Sequence, residues 1–304
     1  MVIDLARRFV ITTRKKGIRA SIRATKQYLR KRVKIGMLRV STGKWSIVQE
    51  INGSKMKLDF HPSSSNEIEK TLAVDGVREP SATETFRDVL IELKKGHSTT
   101  IHVFDIGANI GYFALLEANI LGEQGKICAI EAEPENTKRL KENINLNGYT
   151  NIDVMQVAIG SERTNSELSL ELSANVHRMT EVLDRNEAGD TINVEVYPLD
   201  DLINEKVIPE DELIVVRLDV EGYERYVFQG MSGLLSSERP VYLFSEIHSD
   251  NDIVNVDKIV DTIGQASFEP EYISLDGGHS YQTMTSLDEI RTINANAHIM
   301  VSRL

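Results

Sequence analysis

Apolar residues between positions 83 and 264 follow two alternating patterns, short continuous apolar runs and longer stretches with helical spacing. The continuous runs predict strands at 101–106, 127–131, 152–157, near 213–219 and near 240–246. The helical spacing predicts helices at 83–95, from 111, at 135–146, near 224–235 and near 252–264. Strands that alternate with helices in this way predict an α/β fold, with a mostly parallel sheet and helices on both faces.

The pattern is different before residue 67. Residues 36–60 alternate as strands do, and they contain Asn52-Gly53, a dipeptide typical of a tight hairpin. Apolar residues in the preceding stretch recur at near-helical spacing among basic residues. We therefore predict a basic amphipathic helical arm over 1–35, a small antiparallel β element with its linker over 36–66, and an α/β domain over 67–304.

Charge is distributed unevenly along the chain. Residues 1–44 contain 14 Lys and Arg residues and one acidic residue, whereas the other 260 residues contain 21 basic and 45 acidic residues. A basic amphipathic arm is typical of peripheral contact with an anionic membrane surface, which we expect through residues 1–34. The alternatives are RNA, a transit peptide, or docking on the acidic body of this chain or of a second subunit.

The rest of the composition bears on location. No apolar run approaches the roughly 18 residues that a spanning helix needs, and acidic and basic residues near the start do not fit a secretory signal. The single cysteine, Cys128, excludes an internal disulfide and is typical of a reducing compartment. We therefore expect a cytoplasmic protein, with membrane contact limited to the arm.

The segment VFDIGANIGYF resembles a nucleotide-binding turn between a strand and a helix. A dinucleotide fingerprint starting at Gly107 would need glycine where Asn109 and Tyr112 stand. Asp105 precedes the turn, and its negative charge does not favour an anionic pyrophosphate. S-adenosylmethionine (SAM) instead carries a sulfonium and an ammonium group, so the charge of Asp105 favours SAM.

A second acidic residue supports cofactor binding at this turn. Glu131 follows the next strand, 20 residues beyond Gly111, where α/β cofactor domains place a carboxylate on ribose hydroxyls. The structural alternatives are a capping or turn role for Asp105 and a solvated strand end for Glu131. Because both acids occur at the expected spacing, we predict a SAM site.

These motifs together resemble the FkbM family of class I SAM-dependent methyltransferases. The matching segments are VFDIGANIG at 103–111, AIEAEPEN at 129–136, NINLN at 143–147, VAIG at 157–160, LDDL at 199–202, VRLDVEGYE at 216–224 and SEIH at 245–248. The resemblance covers roughly residues 76–250. Ala132 stands where the family usually has proline, which should loosen the turn after Glu131 and leave its carboxylate in place.

The resemblance implies a Rossmann-like, seven-stranded sheet whose last strand is antiparallel, with 297–301 as the candidate. It also implies O-methylation, often of sugar hydroxyls on glycans, glycolipids or natural products. Carried over by motif, the residues expected to hold the cofactor are Asp105, Gly107, Asn109, Gly111 and Glu131, with Gln156 near the adenine and Glu79 near the methionine end.

Four ionisable residues follow the strands near 213–219 and 240–246. Asp219 and Glu221 are two positions apart, as are Glu246 and His248, so each pair would point to one side of an extended segment. These are the candidate catalytic residues, with His248 the preferred general base because its ordinary pKa of about 6.5 suits neutral pH. Asp219 can also be the base or can position the substrate hydroxyl. Alternatively, Asp219, Glu221 and Glu224 cap and support the following helix, whose first turn favours acids.

Asp219, Glu246 and His248 can also share a divalent metal, but their spacing matches no dedicated ligand pattern, so we predict no metal site. We expect the other six histidines to be structural. The polar stretch 173–190 is either a lid or specificity loop or a surface insertion.

Three other functions compete with O-methylation. The basic arm allows an RNA methyltransferase, although the acidic body and the absence of an Asn/Asp-Pro-Pro-aromatic motif disfavour it. A non-catalytic SAM-binding subunit is disfavoured by the acids at 219 and 246. A nicotinamide dehydrogenase is disfavoured by the glycine pattern.

Overall fold

The computed structural model describes residues 45–51, 54–60, 72, 76–171, 176–180, 190–248, 256–293 and 296–304. The predicted arm over 1–35, residues 36–44 of the predicted β element, its linker and both predicted domain boundaries lie outside the described residues. No helix in these described ranges is both long enough and apolar enough to cross a membrane.

Fourteen strands and seven α-helices follow one another in the described chain. The strands are β1 (Trp45–Ile51), β2 (Ser54–Phe60), β3 (Ile101–Ile106), β4 (Gly125–Ile130), β5 (Ile152–Met155), β6 (Ala158–Ile159), β7 (Thr164–Glu171), β8 (Val176–Met179), β9 (Asp190–Tyr197), β10 (Leu213–Leu218), β11 (Val241–Ile247), β12 (Glu269–Ser274), β13 (Gln282–Thr283) and β14 (Ala297–Arg303). The helices are α1 (Pro80–Gly96), α2 (Tyr112–Leu121), α3 (Pro134–Asn147), α4 (Leu199–Glu205), α5 (Glu224–Gly230), α6 (Ser232–Ser236) and α7 (Val256–Gln265). Short 3-10 helices lie at Gly122–Gln124 and Leu287–Thr292.

The main sheet has the strand order β13-β12-β14-β11-β10-β3-β4-β5. Strands β5, β4, β3, β10 and β11 pair in parallel, and β14 is antiparallel to both β11 and β12. This confirms the predicted α/β sheet of seven strands with an antiparallel last strand, and the two-residue β13 extends its edge. Residues of β3 and β10 are buried throughout, as expected for central strands covered on both faces.

Aromatic packing fixes α1 against this sheet. The Phe86 ring lies 6.2 Å from the Phe113 ring of α2 and 4.9 Å from the Phe244 ring of β11, measured between centroids. Arg78 and Glu79 directly precede α1, so this packing holds them near the carboxyl ends of the central strands.

The predicted β element is the hairpin of β1 and β2. Two asparagines of the NINLN segment connect it to the α/β domain. Asn143 accepts a hydrogen bond from the backbone N–H of Asp59 at 2.8 Å, and Asn147 accepts one from that of Lys57 at 2.7 Å. Asn143 also donates to the Ile110 carbonyl at 2.9 Å, so the hairpin is tied to the turn before α2.

Three features differ from the sequence predictions. A second sheet, with order β6-β9-β7-β8, follows β5 and was not predicted. The single helix predicted near 224–235 is two helices, α5 and α6, because the chain turns at Met231. Within the polar stretch 173–190, residues Val176–Met179 form β8, while 173–175 and 181–189 lie outside the described residues.

Candidate active site

An open cleft lies at the carboxyl ends of β3, β4 and β10. It encloses about 690 Å³ of empty space, part of it open to solvent. Its polar lining includes Arg78, Gly107, Asn109, Glu131, Asp219 and Glu221. Its apolar lining includes Ile130, Val157, Ile159, Leu168, Met179 and Tyr223. The second sheet thus supplies part of the wall, and Met179 belongs to the polar stretch whose role the sequence left open.

The glycine turn is shaped by contacts within the protein. Gly107, Asn109 and Gly111 all have positive φ, of 83°, 53° and 94°. A Cβ atom at Gly107 would lie 1.9 Å from the Asp219 carbonyl oxygen, and one at Gly111 would lie 2.5 Å from a methyl of Leu140. Glycine is therefore needed because the loop after β10 and helix α3 approach this turn so closely. Gly107 also lines the cleft, and Gly111 precedes α2.

Glu131 lies where the sequence predicts a ribose-binding carboxylate, at the carboxyl end of β4. Its two oxygens accept hydrogen bonds from the backbone N–H groups of Asn109, at 2.8 Å, and of Glu133, at 2.9 Å. Burial raises the pKa of Glu131 to about 7, although these hydrogen bonds oppose the shift. The carboxylate therefore joins the glycine turn to the start of α3 and faces the cleft.

Asp105 does not face the cleft as the charge argument assumed. Its side chain is fully buried, and its Oδ1 atom lies 2.9 Å from Nη1 of Arg217 in β10. Burial raises the pKa of Asp105, and the Arg217 guanidinium opposes that shift. Because Arg217 balances this charge inside the sheet, Asp105 does not discriminate SAM from a dinucleotide in the way the sequence suggested.

Arg217 contacts two of the predicted site residues, Asp105 and Asp219, and the sequence prediction missed it. It stands in the apolar run of β10, and its guanidinium lies 3.8 Å from the centre of the Phe113 ring. Its Nη2 atom lies 3.2 Å from Oδ2 of Asp219, and Nη2 of Arg78 lies 3.2 Å from the same oxygen. Burial alone would raise the pKa of Asp219, but the two guanidinium groups outweigh it and lower that pKa. Asp219 is thus a charged, doubly paired carboxylate and a weak proton acceptor.

The two weaker cofactor predictions have different surroundings. Gln156 is exposed just beyond β5 and is not among the residues that line the cleft. Glu79 has a positive φ of 41° and pairs with Arg78 at 2.8 Å. Its Oε2 atom is buried and has no hydrogen-bond partner in the described part of the chain. Glu79 adjoins the cleft-lining Arg78 but, like Gln156, is not among the residues that line the cleft.

A second cluster of ionisable side chains adjoins the cleft. One ligand-type atom from each of Asp219, Glu221 and His248 lies within 4.8 Å of the others, and the same holds for Glu79, Glu246 and His298. Asp219 and Glu221 thus lie close together, but the extended segment from which this was predicted is wrong, because β10 ends at Leu218 and Glu221 has a φ of 52°.

His248 is surrounded by carboxylates. Its Nδ1 atom lies 2.7 Å from Oε1 of Glu224, and its Nε2 atom lies 3.3 Å from Glu221 and 3.4 Å from Glu246. Burial would lower the pKa of His248, but the hydrogen bond and charge of Glu224, with the other two acids, raise it to about 10. The ring is therefore protonated at neutral pH, and the reason for choosing His248 as general base does not hold.

Glu221 has a pKa near neutral, which was the property expected of His248 as the general base. Burial, followed by the nearby charge of Asp219, raises the pKa of Glu221 to about 7. Its side chain is 27% exposed and lines the cleft, so an acceptor can reach it.

His298 belongs to this cluster, although the sequence placed it among the structural histidines. Its Nε2 atom lies 3.4 Å from Glu246, and its Nδ1 atom lies 2.5 Å from the Tyr281 hydroxyl. The register of β11 and β14 places Glu246 and His298 opposite each other. No local pattern around either residue indicates this contact.

Comparison with known proteins identifies the family. Residues 105–292 match the Methyltransferase FkbM domain. Because this match covers more than half of the chain, the protein belongs to the FkbM methyltransferase family. SAM is the cofactor of this family of methyltransferases.

Individual relatives are more distant. A 66-residue segment is 33% identical to Protein-L-isoaspartate O-methyltransferase 2 of Archaeoglobus fulgidus. The matched segment covers 22% of this chain and 28% of that protein. The solved structure of an FkbM methyltransferase from Methylobacillus flagellatus KT has a TM-score of 0.39 and 12% identity, over 76% of this chain and 54% of that one. The solved structure of a SAM-dependent methyltransferase from Agrobacterium tumefaciens has a TM-score of 0.45 and 9% identity. The match covers 86% of this chain and 70% of that one.

Proposed function

We propose that the protein is an O-methyltransferase that transfers a methyl group from SAM to a hydroxyl, of a sugar in a glycan, glycolipid or related metabolite. The observation that carries this proposal is the pair of partly exposed carboxylates, Glu221 and Glu246, beside the cofactor cleft. A hydroxyl is a poor nucleophile while protonated, so its methylation benefits from a nearby proton acceptor.

The residues of the cleft, together with Glu79 next to the cleft-lining Arg78, fit SAM. Glu131 would accept hydrogen bonds from the ribose hydroxyls, and the turn at Gly107 and Asn109 would lie along the cofactor. The unpartnered, buried Oε2 atom of Glu79 would attract the ammonium group of the methionine end. The apolar wall contributed by β4 and the second sheet would contact the adenine.

The protein's own residues carry out the remaining chemistry. SAM supplies an electrophilic methyl group, and the protein must align the acceptor and remove its proton. Glu221 is the better proton acceptor, because its pKa of about 7 lets it be ionised at neutral pH and still bind a proton well. Asp219, held by Arg78 and Arg217, would orient the acceptor hydroxyl. This reaction scheme includes no metal ion.

The excess positive charge of residues 1–44 supports a role for the arm. It would hold the protein peripherally on an anionic membrane, where a lipid-linked saccharide acceptor is presented. The protein would then act in the cytoplasm at a membrane surface.

The test is methyl transfer from isotope-labelled SAM to a panel of oligosaccharides, glycolipids and RNA, with products located by mass spectrometry. We expect a labelled methyl ether on a sugar hydroxyl, and loss of that product in Glu221→Gln. Labelled RNA would favour the RNA alternative instead. Tight SAM binding with no labelled product from any acceptor would contradict the enzyme proposal and favour a non-catalytic subunit.

A further inference from the structure

Glu224 is the first residue of α5, and the proposed reaction leaves it without a role. Its side chain is fully buried, beside the loop that carries Asp219 and Glu221. Its Oε1 atom accepts a hydrogen bond from the backbone N–H of Gly222 at 3.0 Å. A buried carboxylate is costly unless it is paired, so its partners indicate why it is there.

The other partner of Glu224 is His248, whose Nδ1 atom lies 2.7 Å from the same oxygen. This contact fixes the orientation of the imidazole ring and directs Nε2 toward the cleft side of the cluster. There Nε2 lies between Glu221, at 3.3 Å, and Glu246, at 3.4 Å. A protonated ring can donate from both nitrogens at once, so one buried acid orients a donor toward two partly exposed acids.

The groups that face His248 come from three elements. They are Glu224 of α5, Glu246 of β11, and Asp219 and Glu221 from the loop after β10. His298 of β14 lies on the far side of Glu246, and the charge of Arg178 in β8 acts on Glu221. Two guanidinium groups already pair with Asp219, so the protonated His248 offsets negative charge mainly at Glu221 and Glu246.

We propose that Glu224 is a positioning residue for methyl transfer, which acts by holding the protonated His248 ring between the two proton-accepting carboxylates Glu221 and Glu246. This inference rests on the proposed O-methyltransferase function. It makes His248 a charged support for the two accepting carboxylates, and not itself the base. It also gives Glu224, the last of the three acids of the DVEGYE segment, a role distinct from those of Asp219 and Glu221.

The test is the titration of His248 by NMR in the full-length protein labelled with ¹⁵N-histidine, with its signal assigned by its loss in His248→Gln. We expect the ring to stay protonated through neutral pH in the unaltered protein. In Glu224→Gln an oxygen remains for the Gly222 hydrogen bond, but the charge is lost, so the apparent pKa of His248 should fall by about one unit or more. SAM affinity, measured by calorimetry, should be unchanged and serves as the check on folding.

A matched control uses another histidine–carboxylate pair. His102 and Glu212 lie 2.6 Å apart at the amino ends of β3 and β10. Glu212→Gln should change the signal of His102 and leave that of His248 unchanged.

Once a methyl acceptor is identified, kinetics test the same variant. Glu224→Gln should lower kcat by about tenfold or more, with KM for SAM unchanged.

The inference is overturned if His248 titrates near the ordinary histidine value in the unaltered protein, or if Glu224→Gln leaves its titration unchanged. It is also overturned if the His248 signal shifts as expected but kcat does not fall. Because the NMR measurement needs no acceptor, it separates this inference from the proposed function. If the His248 signal shifts as expected but no acceptor hydroxyl is methylated, the proposed function is contradicted. The role of Glu224 in methyl transfer is then contradicted too, and only its pairing with His248 stands.

Discussion

The carbonyl oxygen of Asp219 lies 1.9 Å from the position that a Cβ atom on Gly107 would occupy. These residues belong to two different loops, the turn after β3 and the loop after β10. The proposed cofactor side and the proposed acceptor side of the site therefore meet through backbone contact. Any residue other than glycine at position 107 must displace one of the two loops.

We predict that Gly107→Ala loses SAM binding and is strongly destabilised. The new methyl group would meet backbone atoms of Asp219, which cannot rotate away, in addition to the cost of a positive φ. Gly148→Ala is the matched control, because Gly148 has a φ of 70° and no atom within 4 Å of its Cβ position. We expect a loss of about 1–2 kcal/mol in the control and more than about 3 kcal/mol in Gly107→Ala, measured by denaturant unfolding. Equal losses in both would contradict the close approach.

We predict that SAM affinity rises with pH through about 7 and that this dependence belongs to Glu131. Burial raises its pKa to about 7, so below that pH the side chain is protonated and accepts hydrogen bonds from ribose hydroxyls less well. Glu131→Gln should bind SAM more weakly, by about 10–100-fold, and with little dependence on pH. Calorimetric titration at several pH values measures both effects.

The control for Glu131 is Gln156→Ala. Gln156 is exposed and does not line the cleft, so its loss should change SAM affinity little. If Gln156→Ala lowers SAM affinity strongly and Glu131→Gln does not, the cofactor binds at another site.

The central strands could be predicted from the sequence because they are buried on both faces. Strand β3 occupies the predicted residues 101–106, since a fully buried parallel strand is a continuous apolar run. The same criterion gave no role to Arg217, because Arg217 lies inside the apolar run of β10. Its guanidinium pairs with Asp105 of the adjacent strand β3. A charged residue in a buried strand indicates a buried partner, but the sequence does not say which acid it is. Asp105 was therefore assigned to the cofactor.

The cluster around His248 could be predicted only in part. Glu246 and His248 are neighbours in the chain, and their proximity to Asp219 follows from the parallel pairing of β10 and β11. His298 reaches Glu246 through an antiparallel pairing between segments 52 residues apart, and register of that kind has no local signal. The raised pKa of His248 also depends on Glu224, which the sequence presented as a helix-start acid.

We predict that the full-length protein binds vesicles that contain phosphatidylserine and not vesicles of phosphatidylcholine alone. Replacing Arg30, Lys31, Arg32 and Lys34 by Gln should weaken this binding by up to about 1 kcal/mol per residue, measured by co-sedimentation at constant ionic strength. Added salt should weaken the binding of the unaltered protein in the same direction. SAM affinity of the variant should be unchanged. Equal binding to both kinds of vesicle, or tight binding to RNA only, would contradict a membrane role for the arm.

We predict that the rate of methyl transfer at saturating SAM rises with pH through about 7 because Glu221 must be ionised to accept the proton. Below this pH the rate should fall by about tenfold per pH unit, and Glu221→Gln should be nearly inactive at every pH. The same raised pKa has the opposite effect on folding. The folded protein holds this proton more tightly than the unfolded chain, so the contribution of Glu221 to stability is full below the ordinary glutamate pKa. It is then lost as pH rises through about 7. Glu221→Gln should therefore flatten the dependence of the free energy of unfolding on pH in that range. A rate that does not change between about pH 5.5 and 8.5 would remove Glu221 from the reaction and leave Glu246 as the proton acceptor.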